Sequence, residues 1–472
     1  MASEEAGPVS PKIRPDFAPF AVRMRAAGQP EIAIRAFERY YHRLVAGATG
    51  LIPEAEIQPV RCLPNAEALP PELAGVGEAA LRKTVLMQLN GGLGTSMGLE
   101  KAKSLLVVRD GLTFLDIIAR QALAAGVPLV LMDSFNTRDD TLSHLRRYPD
   151  LWGCIPLDFM QHRVPKISRE TFRPVEWPDE PELQWYPPGH GDIYAALTTS
   201  GMLETLLSCG YEYAFASNSD NLGAAIDRTI LGYFVAEALP FLMEVADRTT
   251  ADRKGGHLAR RADGQLILRE LSQCPEEDSA AFQDIGRHRY FNTNNLWLNL
   301  PALKRLMAAG QQTLDLPMIR NQKTVDPRDP TSTPVYQLET AMGSAISLFE
   351  GAGALRVPRS RFAPVKTTDD LLAVRSDAFV VSGDWRIIPN PARTLGPLVV
   401  NLDPEYFRLV DDLDARFPGG PPSLLACERF AVKGDIRFGR NVRLRGAVEL
   451  VNASGRQVEI PDDAVIEGVL SF

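Results

Sequence analysis

A glycine-rich run placed directly after a short apolar segment is the first stretch of this chain with the means to bind a charged ligand. Thr84–Leu89 leads into Asn90, Gly91, Gly92, Leu93, Gly94, Thr95, Ser96, Met97 and Gly98. Glycines let the backbone turn sharply and bring its N–H groups against a ligand with no side chain between, and phosphate oxygens are the natural acceptors. Lys103 follows the loop and stands just before the next apolar segment, where it suits a point charge aimed at phosphates. On position alone, plain turn chemistry and a solvated lysine are equally open readings. Two familiar phosphate loops fail against the letters. A P-loop closes on Gly-Lys-Ser/Thr, whereas Gly98 is followed by Leu99. A dinucleotide fingerprint needs a glycine three places after Gly94, and that place is Met97, leaving only Asp110 to mimic a ribose-binding acid.

The elements that must position this loop read as an alternation of strands and helices. Thr84–Leu89, Ser104–Val108, Val127–Met132 and Tyr213–Ala216 are short apolar runs, and Thr113 with Asp116 forms a capping box at the head of an apolar-periodic helix. Such alternation predicts a mostly parallel mixed sheet with helices on both faces, where ligands lie beyond the carboxyl ends of strands. Thr229–Ala246 is interrupted by Glu237, Pro240 and Glu244, so it reads as a helix, a turn and a buried strand, Phe241–Val245, and not as a membrane span. Residues 1 to about 25 read as a mobile lead-in, and Ile34, Phe37, Tyr41 and Leu44 mark one amphipathic helix after it. From Val432 to Ile466, short apolar runs separated by Gly, Asn, Asp or Pro predict a small stacked β module. The expected division is 1–82, a helical and linker region; 83–375, the α/β domain that carries the glycine loop; and 376–472, the C-terminal β module.

The bulk numbers bound the ligand class. The chain has 472 residues, 45% of them apolar, and a formal charge of -8. No global basic field holds nucleic acid, so an anionic ligand must be met by local donors. Cys62, Cys154, Cys209, Cys274 and Cys427 are scattered with no CxxC pair, which speaks against a disulfide framework or a structural zinc site. The start of the chain shows no basic-then-apolar leader pattern. The expectation is a soluble cytoplasmic protein.

Beyond these readings, an ordered series of motifs resembles the eukaryotic-type UTP–glucose-1-phosphate uridylyltransferases. It begins with Leu89-Asn-Gly-Gly-Leu-Gly-Thr-Ser-Met-Gly98, Lys103-Ser104 and Arg109-Asp-Gly-Leu-Thr-Phe-Leu-Asp116. Asp133-Ser-Phe-Asn-Thr137, Tyr186-Pro-Pro-Gly-His-Gly-Asp192 and Ser217-Asn-Ser-Asp-Asn-Leu-Gly223 follow, then Ala251-Asp-Arg-Lys-Gly-Gly256. Phe291-Asn-Thr-Asn-Asn-Leu-Trp297, Gln337-Leu-Glu-Thr-Ala341, Val357-Pro-Arg-Ser-Arg-Phe362 and Pro364-Val-Lys-Thr-Thr368 complete the series, and the stretch from Val432-Lys-Gly-Asp435 to Pro461 resembles that family's C-terminal β-helix.

The resemblance implies a nucleotidyltransferase-type α/β domain followed by a β-helix module, and an enzyme joining UTP and glucose 1-phosphate into UDP-glucose with release of pyrophosphate. It further implies that Leu89, Asn90, Gly91 and Gly92 line the uracil and phosphate site, that Gln161 reads the uracil edge, and that Gly189 approaches the nucleotide. His190, Asn218, Ser219, Asn294 and Glu339 are implied on the sugar-phosphate side, Asp220 as the Mg²⁺ ligand there, and Lys103 and Lys366 as the catalytic cations on the phosphates. Read without the resemblance, Asn218-Ser-Asp-Asn221 is an ordinary Asx turn, Gln161 a loop amide and His190 a structural histidine. Magnesium is the implied cofactor, and homo-oligomers through the C-terminal module are an open expectation. Two departures stand out. Lys101-Ala102 replaces the family's usual Gly-Pro, which makes Lys101 a competitor for the role of Lys103. The proline-heavy segment Asp326–Pro334 is long and has the means to reshape the rim near Glu339. The rival readings are a pyrophosphorylase for another sugar, such as N-acetylglucosamine, a broad UDP-sugar enzyme, a non-catalytic nucleotide-sugar sensor, and a dehydrogenase resting on Asp110.

Overall fold

The strand residues Val85 and Met87 face one apolar layer while Leu86 faces another, and this double burial organises the molecule. The same split recurs at Val130 and Met132 against Leu129 and Leu131, at Ala214 and Ala216 against Phe215, and at Leu296 and Leu298 against Trp297. A strand covered on both faces needs a continuous apolar run, which is why these segments show no polar alternation. The computed structural model describes residues 16–472.

Ten strands form the central mixed sheet. Along its main path the order is Ile57–Pro59, His257–Arg261, Tyr290–Asn299, Tyr213–Asn218, Thr84–Asn90, Leu129–Asp133 and Asp158–Met160. The last four run parallel, in a register that pairs Asn218 with Leu89, Asn90 with Asp133, and Asp133 with Met160. Their carboxyl ends therefore share one edge. Tyr290–Asn299 is antiparallel to Tyr213–Asn218 and also to Phe241–Asp247, where the pairing slips between Glu244 and Val245. The fold class is the expected one: an α/β sheet covered on both faces, with a C-terminal β module.

Several elements are shifted from their sequence reading. Ser104–Val108 is not a strand of the central sheet. It becomes a 3₁₀ turn at Lys103–Leu105 and a small hairpin pairing Val107–Arg109 with Leu112–Thr113. Asp110 sits in the tip of that hairpin with φ +51°, exposed, which removes the ribose role. The lead-in reading fails for its later part. Ala18–Ala26 is a helix packed on the helix Glu31–Val45 through Phe17, Phe20, Phe37 and Tyr41, because a four-aromatic cluster outweighs the polar residues around it. Residues 1–15 of that reading lie outside the described residues.

The C-terminal strands Val399–Asn401, Cys427–Lys433, Arg443–Val451 and Val465–Ser471 stack in parallel, and Ile436–Phe438 stacks on Val458–Ile460 in a second small sheet. Their inward residues Phe430, Phe438, Leu444, Leu450 and Ile460 form one cluster with Met97, Leu106, Phe114, Leu222 and Val365 of the preceding domain. The module is thus fused to the underside of the glycine loop: a Cβ on Gly98 would lie 3.2 Å from the Leu409 side chain.

Candidate active site

Because the four parallel strands end together, the residues just after them are brought side by side. After Met160, the Gln161 backbone N–H donates to Asp133 O (2.8 Å) and its side-chain Nε2 donates to Gly189 O (3.0 Å). The Gln161 Oε1 stands 2.8 Å from where a Gly91 Cβ would be, so a larger residue there would push the Gln161 amide out of its place. Ser134, after Asp133, donates its hydroxyl to Gly91 O (2.9 Å). Gly189 has φ +83°, and a Cβ on it would strike Thr340 O at 2.5 Å. Gly91, Gln161 and Gly189 thus make one narrow cradle. Gly92 has no atom among the described residues within 4 Å of where a Cβ would be, so the space on that side of it is open.

The Asn90 side chain is turned inward. It is 2% exposed, and its amide donates to Asp133 Oδ1 (2.6 Å) and Thr141 Oγ1 (2.9 Å), so only its backbone is available to a ligand. Burial pushes the Asp133 carboxyl up to about 7 against the opposing hydrogen bond from Asn90, and Asp158 adds to the rise.

Across the loop, Lys103 Nζ lies 2.7 Å from Asp220 Oδ2, both side chains largely shielded. The Lys103 backbone N–H donates to Gly92 O (3.0 Å), and Ser219 N–H to Leu89 O (3.2 Å), which ties the lysine and the Asp220 turn to the glycine loop. Lys101 is exposed, so the geometry favours Lys103 for the loop. Asp220 Oδ1 is buried and has no hydrogen-bond partner among the described residues.

The sugar-side candidates arrive from elsewhere in the chain. The His190 Nδ1 accepts from Met342 N–H (3.0 Å), which puts the ring proton on Nε2. Burial, and secondarily the Lys366 ammonium, press the His190 pKa down to about 4. Lys366 is exposed, and its charge is felt at Glu270 too, where burial raises the carboxyl and the lysine opposes the rise. Asn294 sits in the slipped segment of its strand with φ +58° and accepts from Asn292 Nδ2 (2.8 Å). Asn218 ends its strand opposite Leu89. Glu339 borders Gly189, whose Cβ position is 3.0 Å from the Glu339 Cβ, and burial raises its carboxyl while Asn321 and Lys323 oppose. The segment Asp326–Pro334 turns out to be remote from it. Ile319 pairs with Glu339 and Thr324 with Pro334, so the hairpin tip and Glu339 lie at opposite ends of a strand roughly 17 Å long.

A family model for UTP–glucose-1-phosphate uridylyltransferase matches residues 34–445. The chain belongs to the UTP–glucose-1-phosphate uridylyltransferase family. It is 43% identical over 409 residues to the enzyme of that name from Hordeum vulgare, covering 85% of this chain and 84% of that one. The Saccharomyces cerevisiae uridylyltransferase is 41% identical over 403 residues, 83% of this chain and 78% of that one. A UDP-glucose pyrophosphorylase mutant from Leishmania major, solved in complex with UDP-glucose, superposes with a TM-score of 0.90 at 44% identity, covering 98% of this chain and 100% of that chain.

Some polar residues packed around this uridylyltransferase-family site carry little sequence signal. Glu270 stands in Arg269-Glu-Leu271 with no recognisable motif, and only its burial beside Gly256 and the field of Lys366 reveal it. His162 is buried with its Nδ1 2.8 Å from Asp192 Oδ1. Burial lowers its pKa and the Asp192 carboxylate outweighs that, so the net direction is up. This pair joins the end of the Gln161 strand to the Gly189–His190 loop. Asp192 closes the motif that starts at Tyr186, but nothing in the letters pairs it with His162.

Proposed function

We propose that this chain transfers the uridylyl group of UTP to glucose 1-phosphate, giving UDP-glucose and pyrophosphate. The observation that carries the reading is the convergence at one sheet edge of a glycine cradle (Gly91, Gln161, Gly189) and a carboxylate–lysine pair (Asp220, Lys103) tied to the same loop. In this reading Gln161 presents amide groups to the uracil edge. Leu89 to Gly92 and Gly189 offer backbone to the nucleotide. His190, Asn218, Ser219, Asn294 and Glu339 meet the sugar phosphate, and Glu270 adds a carboxylate to that side.

Glucose 1-phosphate is already a nucleophile at neutral pH. One of its phosphate oxygens attacks the α-phosphorus of UTP in line. The bond from that phosphorus to the α–β bridging oxygen breaks, and pyrophosphate leaves with the electron pair. No covalent enzyme intermediate is needed, so the work is positioning and charge stabilisation. Lys103 and Lys366 supply positive charge from opposite sides, and the neutral His190 ring offers an N–H donor from Nε2 to a phosphate or hydroxyl oxygen.

Mg²⁺ is the implied ion, and Asp220 fits it. One of its oxygens is buried without a partner, and no cluster of three or more His, Cys, Asp or Glu among the described residues offers an all-protein cage. Magnesium is usually held by one or two carboxylates with substrate phosphates and water. When bound, it neutralises phosphate charge.

We also place the division of the chain at 1–82, 83–375 and 376–472, the protein in a reducing cytoplasm, and self-association at the strand Val465–Ser471, where Val465 and Val469 are exposed on a sheet edge. No helix among the described residues is long and apolar enough to cross a membrane. The deciding assay is pyrophosphate release with UTP and Mg²⁺ against a panel of glucose, galactose and N-acetylglucosamine 1-phosphates. Release confined to glucose 1-phosphate supports the full reading. Equal rates with all three replace it by a broad UDP-sugar enzyme, and no release with any sugar refutes catalysis.

A further inference from the structure

Two segments of the site run against each other almost without a gap. Val365 N–H donates to Asp220 O (3.1 Å), Asn221 bridges Pro364, and a Cβ on Gly223 would lie 2.4 Å from Ser360 O. The Asn221 side chain, 5% exposed, closes this seam with both ends of its amide. Its Oδ1 accepts from Ala363 N–H (2.8 Å) and Gly223 N–H (3.3 Å). Its Nδ2 donates to Arg361 O and to Asn295 Oδ1, both at 3.1 Å.

Beneath the seam lies a buried ion pair. Arg361 donates from Nε and Nη2 to the two oxygens of Glu244, each at 2.7 Å, and its Nη2 also reaches Ala225 O (2.9 Å). Glu244, fully buried, takes two more hydrogen bonds from Trp297 Nε1 (2.9 Å) and Asn295 Nδ2 (3.0 Å). A buried ion pair is a weak source of stability, because desolvation of both charges offsets their attraction. A fully satisfied polar network does impose a single geometry. Here it fixes residues 361–365 on Asp220–Gly223, one residue short of Lys366.

We propose that Asn221, seated on the Arg361–Glu244 pair, is a positioning residue that sets Lys366 against Asp220. This rests on the roles given above to Asp220 and Lys366, neither of which Asn221 touches through its side chain. Moving a charge by about 1 Å costs on the order of 10²-fold in rate. Asn221→Ala is therefore expected to lower kcat about 10²-fold while KM for UTP and for glucose 1-phosphate moves less than about threefold.

The test is a double-mutant cycle in kcat with Lys366→Ala. If Asn221 works through Lys366, adding Asn221→Ala to Lys366→Ala brings little further loss. The same fold-loss in both backgrounds overturns the positioning role while leaving Lys366 in the mechanism. A Lys366→Ala enzyme with unchanged turnover overturns the reading of Lys366 and the proposal with it. Should Asn221→Ala lack a cooperative thermal transition, Arg361→Lys carries the same cycle. It keeps the buried positive charge but loses the paired hydrogen bonds, and the same coupling to Lys366 is expected.

Discussion

Lys366 and Asp133 show how differently two ionisable groups near one loop can behave. Lys366 is exposed, yet its charge bears on both His190 and Glu270. Lys366→Ala is expected to lower kcat by about 10²-fold, comparable to losing one transition-state donor. Steady-state rates at saturating substrates check it, and near-normal turnover removes the residue from the mechanism. Asp133 is instead fully buried, with one carboxyl oxygen bonded to Asn90 and the other without a partner among the described residues. Its folded pKa, about 7, lies above the unfolded carboxylate value near 4. The folded state then binds the extra proton, so this group's contribution is complete below about pH 4 and is lost as pH rises through about 7. Asp133→Asn should remove that loss and raise the urea midpoint at pH 8 relative to the parent. A parent and variant with parallel stability profiles from pH 5 to 8 would falsify the assignment.

At the scale of elements, the helix Phe114–Ala125 is anchored by one side chain. Asp116 accepts from Thr113 N–H (2.9 Å) and Oγ1 (2.7 Å) and from Tyr148 OH (2.8 Å), and it pairs with His144 Nε2 (2.8 Å). Burial alone would raise this carboxyl, but the hydrogen bonds from His144, Thr113 and Tyr148 outweigh it and hold it well below the usual carboxylate range. Its stabilisation is present above the unfolded pKa and fades as pH falls. Asp116→Ala is expected to cost about 2 kcal/mol at pH 7, combining a lost cap with stranded donors; equilibrium urea unfolding measures it. This helix is legible in the letters because a capping box is a local signal, and the apolar run Tyr213–Ala216 marks the buried strand that the structure extends to Asn218. Val107–Arg109 escapes sequence reading because the four apolar residues Leu105–Val108 do not say whether their neighbour is the central sheet or their own hairpin. The site divides in the same way. Gly91 announces itself by the glycine run it stands in, whereas Gly189 is reached only through the family resemblance. Glu270, Glu244 and His162 take their places through partners far away in the chain, and spacing carries no trace of that.

For the molecule as a whole, the apolar cluster running from Met97 through Phe114 to Phe438 makes the β module part of the catalytic body. Phe438 stacks on Phe417 at 4.5 Å and is fully buried. Phe438→Ala should cost about 3–5 kcal/mol and lower a single thermal transition seen equally by tryptophan fluorescence and by loss of activity. Two separated transitions, with activity surviving the first, would show that the module unfolds by itself.

The Lys103–Asp220 pair has a consequence for what heat and salt will reveal. One oxygen of the Asp220 carboxylate is already paired with an ammonium group, so a divalent cation arriving alone must compete with a resident counter-charge and brings no new partner for the lysine. On the function proposed above, nucleotide arriving with the cation would reassign both: Lys103 would meet the triphosphate, and Asp220 would be left to hold the metal. Millimolar MgCl₂ alone is therefore expected to leave the melting temperature within about 1 °C of the ligand-free value. MgCl₂ with UTP raises it by several degrees, as mass action requires of a ligand held only by the folded state.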